Sequence, residues 1–356
     1  MKSNKIKIVL FMLILTLGLT ACVSKQSTKK DEVKTKIVTD TIGREVTISD
    51  EVNKIAVVPI PWSSMVYAID GTGDKIVGMN PSAKKAYKKS MLKVLSPEME
   101  KVNTEFIDNN FTVNIEEALK IKPDLFIQWD NQEKNIKQLT EAGIPTIALK
   151  YGTQKDLENG IKLIGQVLKK EDRANKLIEY HNENLKYFES KQELFKNKKK
   201  PKVLYLRDEQ LKVAGNKSYN NFMIDKTGGI NVAKDVPGQW VNVNMEQIIK
   251  WNPEIIYVSN FSDIQPDDLI NNKIKGQDWS QIDAVKNKKV YKTPIGMYRW
   301  DAPCAESHLM FKWMGNIQQP DIFNDYKIEN EIRKFYKDFL NYDLSKEEMK
   351  NILNKK

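Results

Sequence analysis

Met297-Tyr298-Arg299-Trp300 sets a permanently charged guanidinium among aromatic rings. An arginine so placed is costly to bury without a partner. Arg207 supplies a second guanidinium, next to Asp208, with which it can form a local ion pair. Trp62, Ser63 and Ser64, Trp129 and Asp130, Tyr219, and Asn260 and Phe261 join them as candidates, because each follows an apolar run of strand type. Aromatic faces cover apolar ligand surface, and guanidinium forks pair with carboxylate or catecholate oxygens. Such a set suits a flat or bulky anionic chelate. The binding set is therefore Trp62, Ser63, Trp129, Arg207, Tyr219, Tyr298, Arg299 and Trp300, although Trp62 and Trp129 equally fit packing between elements. Tyr219 offers either a phenolate for ferric iron or a capped side chain in Ser218-Tyr219-Asn220.

Other chemistries are poorly supplied. Two histidines, His181 and His308, exclude a histidine-rich metal cage, and two cysteines exclude a multi-cysteine zinc or iron–sulfur site. His181 lies on an apolar helical stripe and reads as packing. His308 reads as a core or cleft residue, with direct metal or haem ligation the lesser alternative, assisted by Met79, Met91 or Met99. The chain has no Gly-x-Ser-x-Gly elbow for a serine hydrolase. A Cys304–His308 dyad would need a third, orienting group that the sequence does not identify. The expectation is a binding protein rather than an enzyme, with no catalytic residue, cofactor or metal centre of its own.

The segments that must position these residues alternate strand-like and helix-like patterns. Runs at 36–40 and 45–49 flank Ile42-Gly43-Arg44 as a hairpin; 55–60, 75–79, 125–129 and 146–149 read as buried strands between helical stretches such as 65–69 and 136–142. A second series begins at 202–206 and continues at 255–259 and 289–292. Between the two lies 171–197, free of Gly and Pro, with Ala174, Leu177, Ile178, His181, Leu185 and Phe188 at spacings of three and four. A helix of that length spans about 40 Å, suited to a strut between two bodies. The expected fold class is α/β: two Rossmann-like lobes with central, mainly parallel sheets, joined by a single long α-helix, with the ligand cleft between them. The expected organisation is a signal peptide at 1–21, a tether at 22–36, an N-terminal lobe at 37–170, the interdomain helix at 171–197, and a C-terminal lobe with terminal helices at 198–356.

Length and charge agree with that plan. The chain has 356 residues, 40% hydrophobic and 29% charged, with a net charge of +10. That is globular composition and room for two ordinary bodies. Residues 1–36 hold eight lysines against Asp31 and Glu32, a net +6, which leaves +4 on the remaining 320 residues and no footprint for nucleic acid. Lys2, Lys5 and Lys7 precede an apolar run from Ile8 to Leu19, too short to span a bilayer but of secretory length. It ends in Leu19-Thr20-Ala21-Cys22, which matches the bacterial lipobox, so Cys22 is expected to carry a diacylglycerol lipid and Cys304 to lack a disulfide partner. Val23 to Lys36 reads as a flexible tether. The expected location is the outer face of the cytoplasmic membrane.

An internal repeat supports two lobes. Residues 113–124, Val-Asn-Ile-Glu-Glu-Ala-Leu-Lys-Ile-Lys-Pro-Asp, align without gaps on residues 243–254, Val-Asn-Met-Glu-Gln-Ile-Ile-Lys-Trp-Asn-Pro-Glu, with five of twelve identical. Each copy opens on an Asn of N-cap type, Asn114 or Asn244, and sets a glutamate two residues on, Glu116 or Glu246. These are either simply well-capped helices or equivalent surface points for a two-fold partner.

The paired Asn-x-Glu…Pro-Asp/Glu segments are accompanied by Asp40-x-x-Gly43-Arg44-x-Val46, Gly152…Gly165, Glu171-Asp172, Gly228-Gly229-Ile230-Asn231 and Trp300…Pro303…Glu306…Trp313. In that order and spacing, over about Thr39 to Phe323, the sequence resembles the substrate-binding proteins of ABC importers for iron chelates, haem and cobalamin, the class with a rigid interdomain helix. The resemblance implies a monomer that captures a metal chelate and hands it to an ABC permease dimer with its ATPase, with Glu116 and Glu246 docking into arginine pockets. An iron–siderophore complex is the favoured cargo. Haem, a corrinoid, another metal chelate and a molybdate-type oxyanion are alternatives, as is a transporter-independent sensory lipoprotein.

Overall fold

The computed structural model describes residues 34–108 and 110–355. The expected signal peptide, Cys22 and most of the tether lie outside the described residues. The chain is already extended in β1 (Thr35–Thr39), which pairs antiparallel with β2 (Glu45–Ser49), so the tether ends before Lys36. Asp40 closes this hairpin. Its carboxylate accepts from the Ile42 and Arg44 amides and the Arg44 guanidinium, and also from the Ala148 amide of the adjoining sheet.

That sheet contains β3 (Ile55–Val57), β4 (Ile76–Met79), β5 (Leu125–Trp129) and β6 (Thr146–Leu149), in the order β4-β3-β5-β6 and all parallel. The second sheet is built on β7 (Lys202–Leu206), with β8 (Lys212–Ala214), β9 (Ile230–Asn231), β10 (Trp240–Asn242), β11 (Ile255–Val258) and β12 (Val290–Lys292). Its order is β10-β8-β7-β11-β12, with β9 also on β7. β7, β11 and β12 run parallel, while β8 and β10 are antiparallel additions that the sequence reading did not include. Their residues, Lys-Val-Ala and Trp-Val-Asn, are too few to make an alternating pattern. Apolar clusters cover both faces of each sheet, and one of them runs on through both lobes and the joining helix. The two-lobed α/β fold is the one the residue pattern implied.

The joining helix spans Glu171–Ser190, 20 residues and so about 30 Å, shorter than the expected 171–197. Its buried face is Ala174, Leu177, His181, Asn184 and Phe188: four members of the expected stripe, with Ile178 and Leu185 half-buried at its edge and Asn184 added. A 3₁₀ turn, Gln192–Phe195, follows because Phe195 turns in to pack on Phe323 and lies 2% exposed. Tertiary burial, rather than a breaker residue, ends the strut. The expected terminal helical region is two helices, Ile328–Leu340 and Lys346–Ile352.

Candidate functional site: a cationic cleft between the lobes

The lobes meet through specific contacts. The Met91 amide donates to the Gly296 carbonyl at 2.8 Å, Lys89 pairs with Asp263 at 3.0 Å, and Tyr298, Ala302 and Cys304 pack with Ala86 and Ile60. Beside this seam lies a cavity of 1450 Å³. One wall is the segment Ser82–Val94 of the first lobe. The other is built by Arg207–Lys212, Asn260–Gln265, Lys292 and Arg299 of the second, with the last helix at one end. Nine lysine and arginine side chains line it against six carboxylates, so it favours an anion.

Phe261 organises the cationic wall. The Arg207 and Arg299 guanidinium carbons each lie 4.4 Å from its ring centroid, and Arg207 is also 4.7 Å from that of Trp240. Arg299 is 5% exposed; its Nε donates to the Asn260 carbonyl at 3.1 Å and its Nη1 to the Tyr298 hydroxyl at 3.2 Å. Asp208 does not pair with Arg207. Its carboxylate instead accepts from the Gln210 and Lys212 amides, closing the turn into β8. Among the described residues, neither guanidinium has a carboxylate within salt-bridge distance. Two arginines therefore line the cavity with no carboxylate paired to them directly, a position that a ligand anion can take.

Three buried groups hold these loops. The Lys292 ammonium donates to the carbonyls of Ser259 at 2.8 Å, Ser262 at 2.9 Å and Ile264 at 2.7 Å, fixing the turn that presents Phe261. Desolvation pulls its pKa down to about 8. Asp301 accepts from the Ser259 hydroxyl and from the Asn260 amide at 3.1 Å. Glu306 accepts from the Met297 amide at 2.6 Å and the Tyr336 hydroxyl at 2.8 Å; burial pushes its pKa up to about 7, against the pull of those hydrogen bonds. A side chain at Gly296 would collide with the Glu306 carboxylate, so glycine is required there.

The remaining sequence candidates are scattered. Trp62 and Ser63 are not loop residues. Pro61, in helical conformation, starts the helix Trp62–Asp70 directly, leaving the two 2% and 3% exposed, with Trp62 packed on Gly160. Trp129 is half-buried edge-to-face on Tyr151, centroids 5.0 Å apart. The Tyr219 hydroxyl donates to Gln154 Oε1 at 2.7 Å, tying one lobe to the other, and burial raises its pKa far from phenolate formation. Trp300 is fully buried in the core, and Tyr298 is 3% exposed on the interlobe seam. Sequence reasoning missed Trp240, which lies on an unrecognised strand. It also missed Lys85, Lys88 and Lys89, whose charges look like an ordinary solvated face.

Glu116 and Glu246 are both exposed, each in the first turn of a helix whose Asn cap accepts backbone amides: Asn114 from Glu116 and Glu117, Asn244 from Gln247. The repeat extends to burial class, identical at ten of its twelve positions, and to a left-handed residue ending each helix, Lys122 at φ 48° and Asn252 at φ 45°. Asp124 then holds the amides of Asn53 and Lys54 ahead of β3, as Glu254 holds the amide of Lys202 at the start of β7.

Comparison with known proteins settles the family. Residues 62–295 match the model of a periplasmic binding protein family. This chain belongs to that family. Its members are binding proteins, not enzymes, that deliver ligands to ABC permeases from outside the cytoplasm. A periplasmic solute-binding protein from Veillonella parvula is 51% identical and superimposes with a TM-score of 0.85, covering 90% of this chain and 97% of its own. The molybdate-binding protein MolA of Haemophilus influenzae is 27% identical over 85% of this binding protein and 90% of its own length. The Fe(3+)-citrate-binding protein YfmC of Bacillus subtilis is 25% identical over 81% and 89%.

Proposed function

We propose that this binding protein is the lipid-anchored capture component of an ABC importer for an anionic metal species, held in the cleft by Arg207 and Arg299 across the Phe261 ring. The pair of guanidiniums with no directly paired carboxylate carries this reading. Relatives named for molybdate and for ferric citrate support it, since both ligands are anions. Within the class, an iron–siderophore or related ferric chelate fits best, because 1450 Å³ is far more room than a bare tetrahedral oxyanion fills. Molybdate is the second reading, favoured by the MolA likeness over most of both chains. Trp240 borders Arg207 and Tyr298 borders Arg299 as aromatic walls, Trp129 is a further aromatic candidate for the ligand, and Tyr219 and Gln154 hold the lobes at fixed spacing. Cys22 carries the lipid, and Glu116 and Glu246 are the handles the permease grips. Titrating the purified domain with ferric citrate, ferric catecholate and molybdate tests the cargo, read by quenching of its seven tryptophans. An anionic probe quenches and a neutral corrinoid does not; quenching by the corrinoid alone contradicts the proposal.

A further inference from the structure

Seven large apolar side chains stand exposed among the described residues, and two of them occupy equivalent positions of the internal repeat: Leu119 at 45% and Ile249 at 43%. Scattered exposed apolar residues need no explanation. A matched pair does. Each lies three residues after the exposed glutamate of its lobe, which on a helix is the same face. The next residue inward is buried in both copies, Ala118 and Ile248, so the helices sit on their lobes in the same orientation. The outward face of each lobe is thus a carboxylate with an aliphatic side chain one turn behind it, flanked by Lys120 or Lys250.

Ordinary helix design would put a polar residue at 119 and 249, as it does at 120 and 250. We infer that Leu119 and Ile249 are paired apolar anchors, each seated against the ABC permease subunit that receives the neighbouring glutamate. This rests on Glu116 and Glu246 being the docking carboxylates. The occupant must match both elements: a two-fold partner that presents, twice, a basic pocket beside an apolar shelf. The division of work follows from the chemistry. The glutamates steer encounter and fix register through charge, while aliphatic burial slows release. Truncating one such side chain at an interface weakens binding roughly tenfold.

The test is photo-cross-linking in intact cells producing the full-length protein, with a benzophenone amino acid at 116, 119, 246 or 249, and at the exposed apolar positions Ile37 and Leu194, outside the cleft, as controls. Adducts are identified by mass spectrometry. The inference predicts that 119 and 249 both capture the same polytopic permease subunit and that 37 and 194 do not, with capture at 119 and 249 lost in a Glu116→Arg/Glu246→Arg background. Capture from 116 and 246 but not from 119 and 249 overturns the anchors and leaves the docking carboxylates standing. Absence of permease from all four overturns both. All four sites are exposed, so the probe is carried without disturbing the core.

Discussion

Lys292 is the residue whose environment says most about how the cleft works. The residue is 7% exposed, its ammonium bonded only to carbonyl oxygens, with Asp301 and Asp263 attracting it and Lys89 and Arg299 repelling it. In the folded chain it gives up its proton at about 8, against 10.5 ordinarily. Below pH 8 the cavity keeps this charge; above it the charge is lost, while the neutral amine retains two N–H donors for the carbonyls of the Phe261 loop. Affinity for an anionic ligand is therefore expected to fall as pH rises through about 8, and Lys292→Met is expected to remove that phase; isothermal titration from pH 7 to 9.5 reads both. Unfolding does not account for the loss. The unfolded chain binds the proton more tightly over that window, so stability from this group rises with pH. Arg299, Arg207 and Phe261 were readable because arginine beside aromatic residues in post-strand loops has few inexpensive alternatives. Lys292 was not, since a lysine at a strand end looks solvated until three carbonyls are found to converge on it.

The elements place these residues through close packing, which sequence periodicity shows only in outline. Strands β5, β6 and β7 carried a signal strong enough to fix their ends. The helix at Trp62 did not, because Pro61 reads as a breaker where it is in fact the starter. Gly160 is the counterpart of that misreading: the helix Gln154–Leu168 passes so close to Trp62 that a methyl group at 160 would run into the ring. Gly160→Ala is expected to destabilise the protein by about 1–3 kcal/mol, measured by urea denaturation; an unchanged midpoint would show that the ring is free to move. The strut is keyed to the second lobe by the chain's two histidines. Their ring centroids are 5.3 Å apart, His181 Nε2 lies 3.0 Å from the Ala305 carbonyl, and Tyr180, Phe335 and Lys312 crowd His308. Desolvation holds both pKa values below the ordinary 6.5. The unfolded chain then binds more protons, so stability is lost as pH falls below about 6.5. His308→Phe is expected to flatten the melting-temperature profile between pH 7 and 5; an unaltered profile would place the acid sensitivity elsewhere.

At the scale of the whole molecule, two halves of similar build each carry a glutamate outward and contribute one wall to a shared cleft. The repeat made this legible from sequence, because capping, the left-handed stop and the acid after the proline are local requirements that two copies had to satisfy separately. The cargo was not legible, since it depends on which loops converge, and the first lobe contributes Ser82–Val94 to the cavity rather than Trp62 and Ser63. Reversal of Glu116 and Glu246 to arginine is expected to abolish uptake by cells while leaving ligand affinity of the purified protein unchanged; loss of affinity as well would mean the substitutions damage the lobes.

The claim beneath all of this is that the cleft captures an anion with two guanidiniums. Equilibrium titration of the wild type, Arg207→Met and Arg299→Met with ferric chelates and molybdate, followed by tryptophan fluorescence, addresses it directly. A charge-assisted hydrogen bond contributes about 1.5–3 kcal/mol, so each variant should weaken the anion that binds by roughly ten- to a hundredfold, with its melting temperature held. An anion bound equally well by wild type and both variants would contradict the account.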